Sequence, residues 1–167
     1  EPFYTEFRDF PLEVELLNAI TGMGWTAPTP IQLSSLRHSL VGKDLAGFAQ
    51  TGTGKTGVFI ITIAHKLLEL QKKEADHDSI IGKGDKNTHA PFSVVIAPTR
   101  ELALQICDKA EKLLAPLGFK STAIFGGMDL PKQIDQLMKD RPQVVVATTG
   151  RLLDLIKRKN LSLEKCQ

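Results

Sequence analysis

The sequence predicts an α/β fold with a mostly parallel sheet and helices on both faces. Short apolar runs alternate along the chain with longer segments in which apolar residues recur every three or four positions. Runs such as residues 143–147 are apolar almost throughout, which is typical of strands that are buried on both faces and joined by helices. The length of 167 residues suits one domain, so we expect a single domain over residues 1–167, with residues 1–42 as a helical lead-in.

The predicted helices share an apolar face at helical spacing. In the first of them Leu16 and Ile20 lie on one face, and Gly22 ends the helix. The six helices are expected at residues 12–20, 30–40, 55–69, 100–114, 131–138 and 151–158. The predicted strands are short apolar runs between them, at residues 45–49, 93–97, 121–125 and 143–147.

One connection, residues 71–91, is unusually long. It is polar and has no hydrophobic period, so we expect a mobile surface loop. His77 and His89 lie in this segment, where a solvated loop is favoured over a metal site.

Composition excludes several classes of protein. No apolar run approaches the roughly 18 residues that a membrane span requires, so no membrane partner is expected. Cys107 and Cys166 are far apart, which favours a reduced intracellular compartment, nucleus or cytoplasm, over a disulfide framework or a zinc site. The formal net charge is only +2, so any contacts with nucleic acid must be local.

The stretch AQTGTGKT, residues 49–56, joins a predicted strand to a predicted helix. This is the context of a phosphate-binding P-loop, in which glycines with positive φ let backbone N–H groups converge on phosphate oxygens. Lys55 can reach the β- and γ-phosphates and the Thr56 hydroxyl can ligate Mg²⁺, which makes them the candidate catalytic residues. The alternative is a glycine-rich turn with an exposed lysine. The candidate nucleotide-binding residues here are Gln50, Thr51, Gly52, Thr53, Gly54, Lys55 and Thr56.

At GWTAPTPIQ, residues 24–32, the chain resembles the DEAD-box RNA helicases, whose adenine-recognising Q motif has this form. The resemblance continues in order through nearly the whole chain. AQTGTGKT looks like motif I, PTRELALQ (98–105) like motif Ia, Gly126-Gly127 like the GG motif, and TTGR (148–151) like motif Ib. It implies a RecA-like P-loop NTPase domain that uses ATP and Mg²⁺ and binds RNA.

The resemblance implies that Gln32 and Trp25 recognise adenine. A primary amide carries a donor and an acceptor, so Gln32 can pair with adenine N6–H and N7 at once, whereas guanine offers acceptors at both positions. Trp25 is expected to stack on the adenine. Phe7 resembles the isolated upstream aromatic of the family, although a plain core contact is nearly as well supported.

The remaining motifs are expected to bind the sugar–phosphate backbone of RNA without sequence preference. They follow strands, and the carboxyl ends of parallel strands line the binding crevice of open α/β sheets. The alternative treats Thr99 and Thr148 as helix N-caps and Arg100 and Arg151 as solvated helix ends. Position 149 is Thr where the family usually has Pro, so the sequence does not determine the geometry of the local turn. The candidate RNA-binding residues are Pro98, Thr99, Arg100, Gly126, Gly127, Thr148, Gly150 and Arg151.

The Asp-Glu-Ala-Asp tetrad of the family does not occur in these 167 residues. We therefore expect an incomplete first RecA-like domain that binds adenine nucleotide without hydrolysing it, and a second RecA-like domain as its partner. Four strands are predicted here. In the family, a further strand precedes this tetrad and lies beside the P-loop strand. Two other readings stay open at this point: a P-loop ATPase of another class, such as a kinase or a DNA helicase, and a non-catalytic RNA clamp.

Overall fold

The computed structural model describes residues 3–73 and 86–167. The chain divides into two compact units, Glu1–Leu70 and Gln71–Gln167.

The first unit is helical among the described residues. A 3-10 turn at Phe7–Asp9 precedes α1 (Val14–Gly22) and α2 (Pro30–Ser39), and α3 (Lys55–Lys73) begins directly after the P-loop. The apolar positions that predicted these helices are buried: Leu16, Leu36 and Ile60 are at most 1% exposed. The three predicted helices are confirmed, and α3 is four residues longer than expected. In the described part of the chain, no helix combines the length and apolarity needed to cross a membrane.

The predicted strand at residues 45–49 was wrong. These residues belong to no strand, and Phe48 and Leu45 are 93% and 46% exposed. A strand requires a hydrogen-bonded neighbour, and no segment within residues 3–73 and 86–167 pairs with this one. The apolar composition of residues 45–49 predicted a buried strand, but composition does not indicate whether a neighbouring strand is present to pair with it.

The second unit contains a three-stranded parallel sheet. Its elements alternate: β1 (Ser93–Ile96), α4 (Arg100–Leu114), β2 (Ser121–Ile124), α5 (Leu130–Asp140), β3 (Val144–Ala147) and α6 (Thr149–Lys157). The strand order is β1-β3-β2, so the last strand in sequence is central. Val146 of β3 stands opposite Val95 and Ala123 of its two neighbours. The predicted strands and helices of this half are confirmed within three residues at each end.

Helices cover the sheet on both faces. Val145 and Ala147 pack in one buried cluster with Leu137 of α5 and Leu155 of α6. Successive residues of a strand point to opposite faces, so Val144 and Val146 face the other side, where α4 packs against β2 and β3. The α/β fold with a parallel sheet is therefore confirmed, and the carboxyl ends of all three strands lie at one edge.

His89 corrects the prediction of a solvated loop over residues 71–91. Residues 71–73 still belong to α3, residues 74–85 with His77 lie outside the described residues, and His89 is fully buried. Its Nε2 donates to the carbonyl of Pro142 at 2.7 Å, and its backbone bonds to Asn160 and Ser162. Arg141 ties the same segment down by donating to the carbonyls of Thr88 and Lys86. The polar composition of this segment predicted exposure. It could not reveal that hydrogen bonds to residues more than fifty positions away would bury His89.

We predict that His89 makes the free energy of unfolding depend on pH. Burial lowers the pKa of His89 to about 4, although the hydrogen bond to Pro142 opposes this and Arg141 adds to it. Between pH 6.5 and 4 the unfolded chain takes up a proton at this residue and the folded chain does not. The folded state therefore loses up to about 3 kcal/mol as the pH falls through this window.

Urea unfolding as a function of pH, in the wild type and in His89→Gln, measures this effect. Glutamine keeps a donor for Pro142 but does not titrate, so its curve should be flatter between pH 6.5 and 4. Above pH 7 the two curves should run parallel, because His89 is neutral in both states. Equal slopes in the acid range would contradict the prediction.

Candidate functional site

The P-loop of the first unit is held by hydrogen bonds between its own residues. Gly52 and Gly54 have φ values of 81° and 95°, the left-handed conformation that their positions in the motif require. The Thr53 hydroxyl donates to the carbonyl of Gln50 at 2.6 Å, and the Lys55 ammonium donates to the carbonyl of Ala49. Lys55 thus spans the loop, and Thr51 lies exposed at its turn.

The loop leads directly into the first turn of α3. Lys55 and Thr56 are the first two residues of this helix, and both are half-buried. The first backbone N–H groups of an α-helix have no partner inside the helix, and they carry a partial positive charge. This end of α3 therefore presents donors suited to an anion beside the Lys55 and Thr56 side chains.

Gln32 joins α2 to the P-loop. Its Oε1 accepts from the backbone N–H of Thr29 at 3.0 Å, while the Thr29 hydroxyl accepts from the N–H of Gln32, so the two residues form a capping box. Its Nε2 donates to the carbonyl of Gly54 at 3.1 Å. Gln32 is only 4% exposed. The role of Thr29 was missed from the sequence, although Thr-Pro-Ile-Gln carries the S/T-x-x-E/Q signature of a capping box.

Gly57 is a second residue that the sequence analysis missed. A Cβ at this position would lie 2.4 Å from Nε2 of Gln32 and 3.5 Å from Cη2 of Trp25. The side chains of Gln32 and Trp25 therefore pack closely against the first turn of α3. Trp25 is half-buried. Phe7, in contrast, is 6% exposed, which accords with the alternative of a core contact. A glycine just after Lys55-Thr56 was the only signal in the sequence for this close approach.

In the second unit, the residues of motif Ia, the GG motif and motif Ib lie at the carboxyl edge of the sheet. Pro98, Thr99 and Arg100 follow β1 and are exposed. Gly126 and Gly127 form an exposed turn after β2. Thr148, Gly150 and Arg151 follow β3, with Gly150 exposed and the other two half-buried. The parallel sheet thus brings together three segments that are far apart in sequence.

Two arginines connect these segments. The Arg100 guanidinium lies 4.7 Å from the centre of the Phe125 ring, and a Cβ on Gly127 would be 3.9 Å from its Nη1. Arg151 donates from Nη1 to Oε1 of Gln133 at 2.9 Å and from Nη2 to the carbonyl of Met128 at 3.0 Å. Motif Ia therefore touches the segment after β2 from one side, and motif Ib touches it from the other.

The alternative that Thr99 and Thr148 are N-caps holds for only one of them. The Thr99 hydroxyl accepts from the N–H of Leu102 at 3.2 Å and so caps α4. Thr148 makes no capping hydrogen bond to α6. Thr149 occupies the first helical position, where proline is readily accommodated, so the departure from the family pattern leaves the turn geometry intact. Unlike proline, Thr149 adds a backbone N–H donor to this edge.

In the described part of the chain, no group of three or more His, Cys, Asp or Glu side chains is placed to hold a metal ion. Cys107 is buried, Cys166 is exposed, and both are free thiols.

Known proteins resemble this chain along nearly its whole length. It is 40% identical to the ATP-dependent rRNA helicase RRP3 of Candida albicans over 151 residues, which are 90% of this chain and 25% of the relative. It is 43% identical to the DEAD-box ATP-dependent RNA helicase 10 of Arabidopsis thaliana over 148 residues, which are 89% of this chain and 31% of the relative. The chain thus spans about a quarter to a third of the length of these relatives.

A solved structure agrees in fold. The crystal structure of the RNA helicase Prp28 from Chaetomium thermophilum bound to ADP superposes with a TM-score of 0.77 at 35% identity, covering 99% of this chain and 37% of that one. The family model described as DEAD/DEAH box helicase matches residues 29–167. The chain therefore belongs to the DEAD/DEAH box helicase family.

Proposed function

We propose that this chain is the ATP-binding part of an ATP-dependent RNA helicase, in which the first unit binds adenine nucleotide and Mg²⁺ and the second binds the RNA backbone. Its relatives are named as ATP-dependent RNA helicases, and the related Prp28 structure holds ADP. One contact carries the proposal above all: Nε2 of Gln32 donates to the carbonyl of Gly54, which joins the Q motif to the P-loop.

The two hydrogen bonds of the Gln32 amide leave one donor and one acceptor position that adenine could use. A primary amide has two N–H donors and an oxygen with two lone pairs, and the contacts with Gly54 and Thr29 use one of each. One donor and one lone pair remain, which is the complement of adenine N7 and N6–H. Guanine would place an acceptor against the amide oxygen, and such a mismatch costs ~1–3 kcal/mol.

The P-loop residues fit the phosphates of the nucleotide. Gly52 and Gly54, with their positive φ, turn the backbone at the start of α3, where the first N–H groups of the helix can donate to phosphate oxygens. Lys55 has three donors, of which the carbonyl of Ala49 takes one, so the others remain for phosphate oxygens. The Thr56 hydroxyl is the candidate Mg²⁺ ligand. When bound, ATP would supply the phosphoanhydride bond whose hydrolysis drives the helicase, and Mg²⁺ would neutralise the charge on its phosphates, while Lys55 and Thr56 hold and orient the triphosphate.

The second unit supplies the RNA site through its backbone and Arg100. The exposed turn at Gly126-Gly127 and the uncapped start of α6 both offer N–H donors at the carboxyl edge of the sheet. Arg100 adds an exposed cation beside them. Such contacts read phosphate and sugar, so binding should not depend on base sequence.

We further propose that ATP and RNA together close this domain against a second RecA-like domain, as in the family that the motifs resemble. The Asp-Glu-Ala-Asp tetrad does not occur in these 167 residues. A polypeptide of this sequence alone is therefore expected to bind adenine nucleotide without hydrolysing it. In the complete natural protein, ATP hydrolysis stimulated by RNA and not by DNA would distinguish an RNA helicase from a DNA helicase. RNA binding without any ATP hydrolysis would indicate a clamp.

The first of three predictions from this proposal concerns adenine selectivity. Trp25 is the only tryptophan of the chain, so its fluorescence reports on the site in titrations with ADP or GDP in the presence of Mg²⁺. We expect quenching by ADP at concentrations roughly five- to 150-fold lower than by GDP, the ratio that a mismatch of ~1–3 kcal/mol gives. In Gln32→Ala this preference should disappear. Equal responses of the wild type to both nucleotides would contradict the assignment of Gln32.

The second prediction uses Gly57→Ala. Alanine favours a helix interior over glycine by about 1 kcal/mol, which offsets part of the cost of displacing the Gln32 amide, so the variant should still fold. The added Cβ, however, must displace the Gln32 amide from its position 2.4 Å away. The preference for ADP over GDP should therefore drop to about twofold or less, since the amide loses its alignment with the base. Gly47→Ala is the control, because its Cβ would meet only Ile31 at 3.9 Å. A full ADP preference in Gly57→Ala would show that Gln32 does not select the base.

The third prediction concerns Arg100. In the complete natural protein, Arg100→Gln should weaken the binding of single-stranded RNA about tenfold through loss of a charge-assisted contact to phosphate. The slope of log K against log salt should fall by about 0.7, the value of one phosphate contact on a single strand. Lys109→Gln is the matched control, because Lys109 is exposed on the same helix about 13 Å further along its axis. If both variants lower the affinity equally, Arg100 makes no specific contact.

A further inference from the structure

We propose that Gln133, which lies outside every motif identified in the sequence, is a positioning residue for RNA. Together with Arg151 it holds the turn at residues 126–128 in register with the start of α6. This inference rests on the proposed RNA function of the carboxyl edge, and it adds a residue that does not itself touch RNA.

Gln133 is one of the few buried polar side chains in the described part of the chain. It lies in the first turn of α5 and is 4% exposed. Its Oε1 accepts from Nη1 of Arg151 at 2.9 Å, and its Nε2 contacts the sulfur of Met128 at 3.6 Å. A buried amide is costly unless it is partnered, and both of its partners here belong to the proposed RNA edge.

Arg151 completes the connection. While Nη1 binds Gln133, Nη2 donates to the carbonyl of Met128 at 3.0 Å. A guanidinium is planar, so two hydrogen bonds from two of its nitrogens fix its orientation. The three residues Gln133, Arg151 and Met128 form a brace between α5, α6 and the turn after β2.

The two glycines of the turn at residues 126–128 make few contacts of their own. Gly126 and Gly127 are exposed, and a Cβ on Gly126 would meet nothing within 4 Å. Gly127 has a φ of 85°, and a Cβ on it would meet only Arg100, at 3.9 Å. The two glycines have no side chains to pack, so the position of their backbone N–H groups depends on hydrogen bonds to the turn, and the brace supplies one at Met128.

The brace also changes the role of Arg151. Two of its five N–H donors are engaged inside the protein, so the guanidinium is oriented before any RNA arrives. Its contribution to affinity then depends on Gln133, whereas that of a free surface arginine would depend on charge alone.

The test measures the affinity of the complete natural protein for a fluorescent single-stranded RNA, together with the melting temperature of each variant. Gln133→Met removes the acceptor for Arg151 at nearly constant volume, and we expect it to raise the RNA Kd about tenfold, in line with the loss of a hydrogen bond to a charged donor. Gln143→Met is the matched control. Gln143 is also buried, at 3% exposed, but its Oε1 accepts from the N–H of Lys120, a residue that precedes β2. This control should change the RNA Kd by less than about twofold, whatever it does to stability, since it makes no contact with the brace.

A second variant leaves the buried position untouched. Arg151→Lys keeps the positive charge but replaces the two nitrogens of the brace by one. It should weaken RNA binding about fivefold while the salt slope stays unchanged, since the number of charges is the same. The double variant Gln133→Met, Arg151→Lys should have an RNA Kd within about twofold of the higher Kd of the two single variants. The effects should not add, because both changes break the same brace.

Steady-state kinetics separates positioning from a general loss of structure. In Gln133→Met the RNA concentration for half-maximal stimulation of ATP hydrolysis should rise, while kcat at saturating RNA and KM for ATP stay at wild-type values. Equal effects of Gln133→Met and Gln143→Met on RNA affinity, or wild-type affinity in Arg151→Lys, would overturn the inference while the wild type still binds RNA. Failure of the wild type to bind RNA at all would overturn the proposed function itself, and the inference with it.

Discussion

Parallel pairing of β3 with both of its neighbours is the constraint on which the second unit depends. The four residues of β3 are fully buried, and each neighbour pairs with it in parallel along its whole length. Parallel strands cannot be joined by tight turns, so a helix must return the chain each time, and the loops that follow the strands all lie at the same edge. Residues 98–100, 126–128 and 148–151 therefore meet, although some fifty positions separate the first from the last. The candidate RNA surface is a consequence of the strand order before any side chain is considered.

Two of the buried glutamines, one in each unit, make similar contacts. Gln32 binds the carbonyl of Gly54 in the P-loop, and Gln133 binds Arg151, which in turn holds the carbonyl of Met128. In each case a helix close to a glycine-rich turn supplies an amide that is almost fully buried. The glycines of such turns have no side chains with which to pack, so packing fixes these turns only weakly. A buried amide must find hydrogen-bond partners, and this requirement couples the shape of the turn to the packing of the helix.

Local periodicity predicted much of this structure. The bounds of α4, residues 100–114, agree with the prediction at both ends, because its apolar positions repeat over four turns and Thr99 caps its start. The prediction failed where the decisive partner is remote. Residues 45–49 have the composition of a buried strand but no described neighbour, and His89 is buried through bonds to Pro142 and Asn160. Gly57 and Gln133 were missed for the same reason, since their importance lies in a contact and not in a period. The Thr29 cap was missed although its partner Gln32 is only three residues away and the pair carries a local signature. The motifs located both candidate sites, but they did not reveal what holds the loops in place.

The charge of the chain explains why the position of the loops matters so much. A formal net charge of +2 provides no broad attractive field for RNA, and one of the motif arginines is tied into the protein by two hydrogen bonds. At the proposed RNA edge, backbone N–H groups such as those of the Gly126-Gly127 turn and the uncapped start of α6 would then contribute much of the affinity, together with Arg100. Backbone donors cannot change rotamer to find a phosphate, so they bind only when the turn itself is correctly placed. The proposed site would bind RNA without regard to base sequence, and its geometry would depend on buried side chains, such as that of Gln133, that do not contact the RNA.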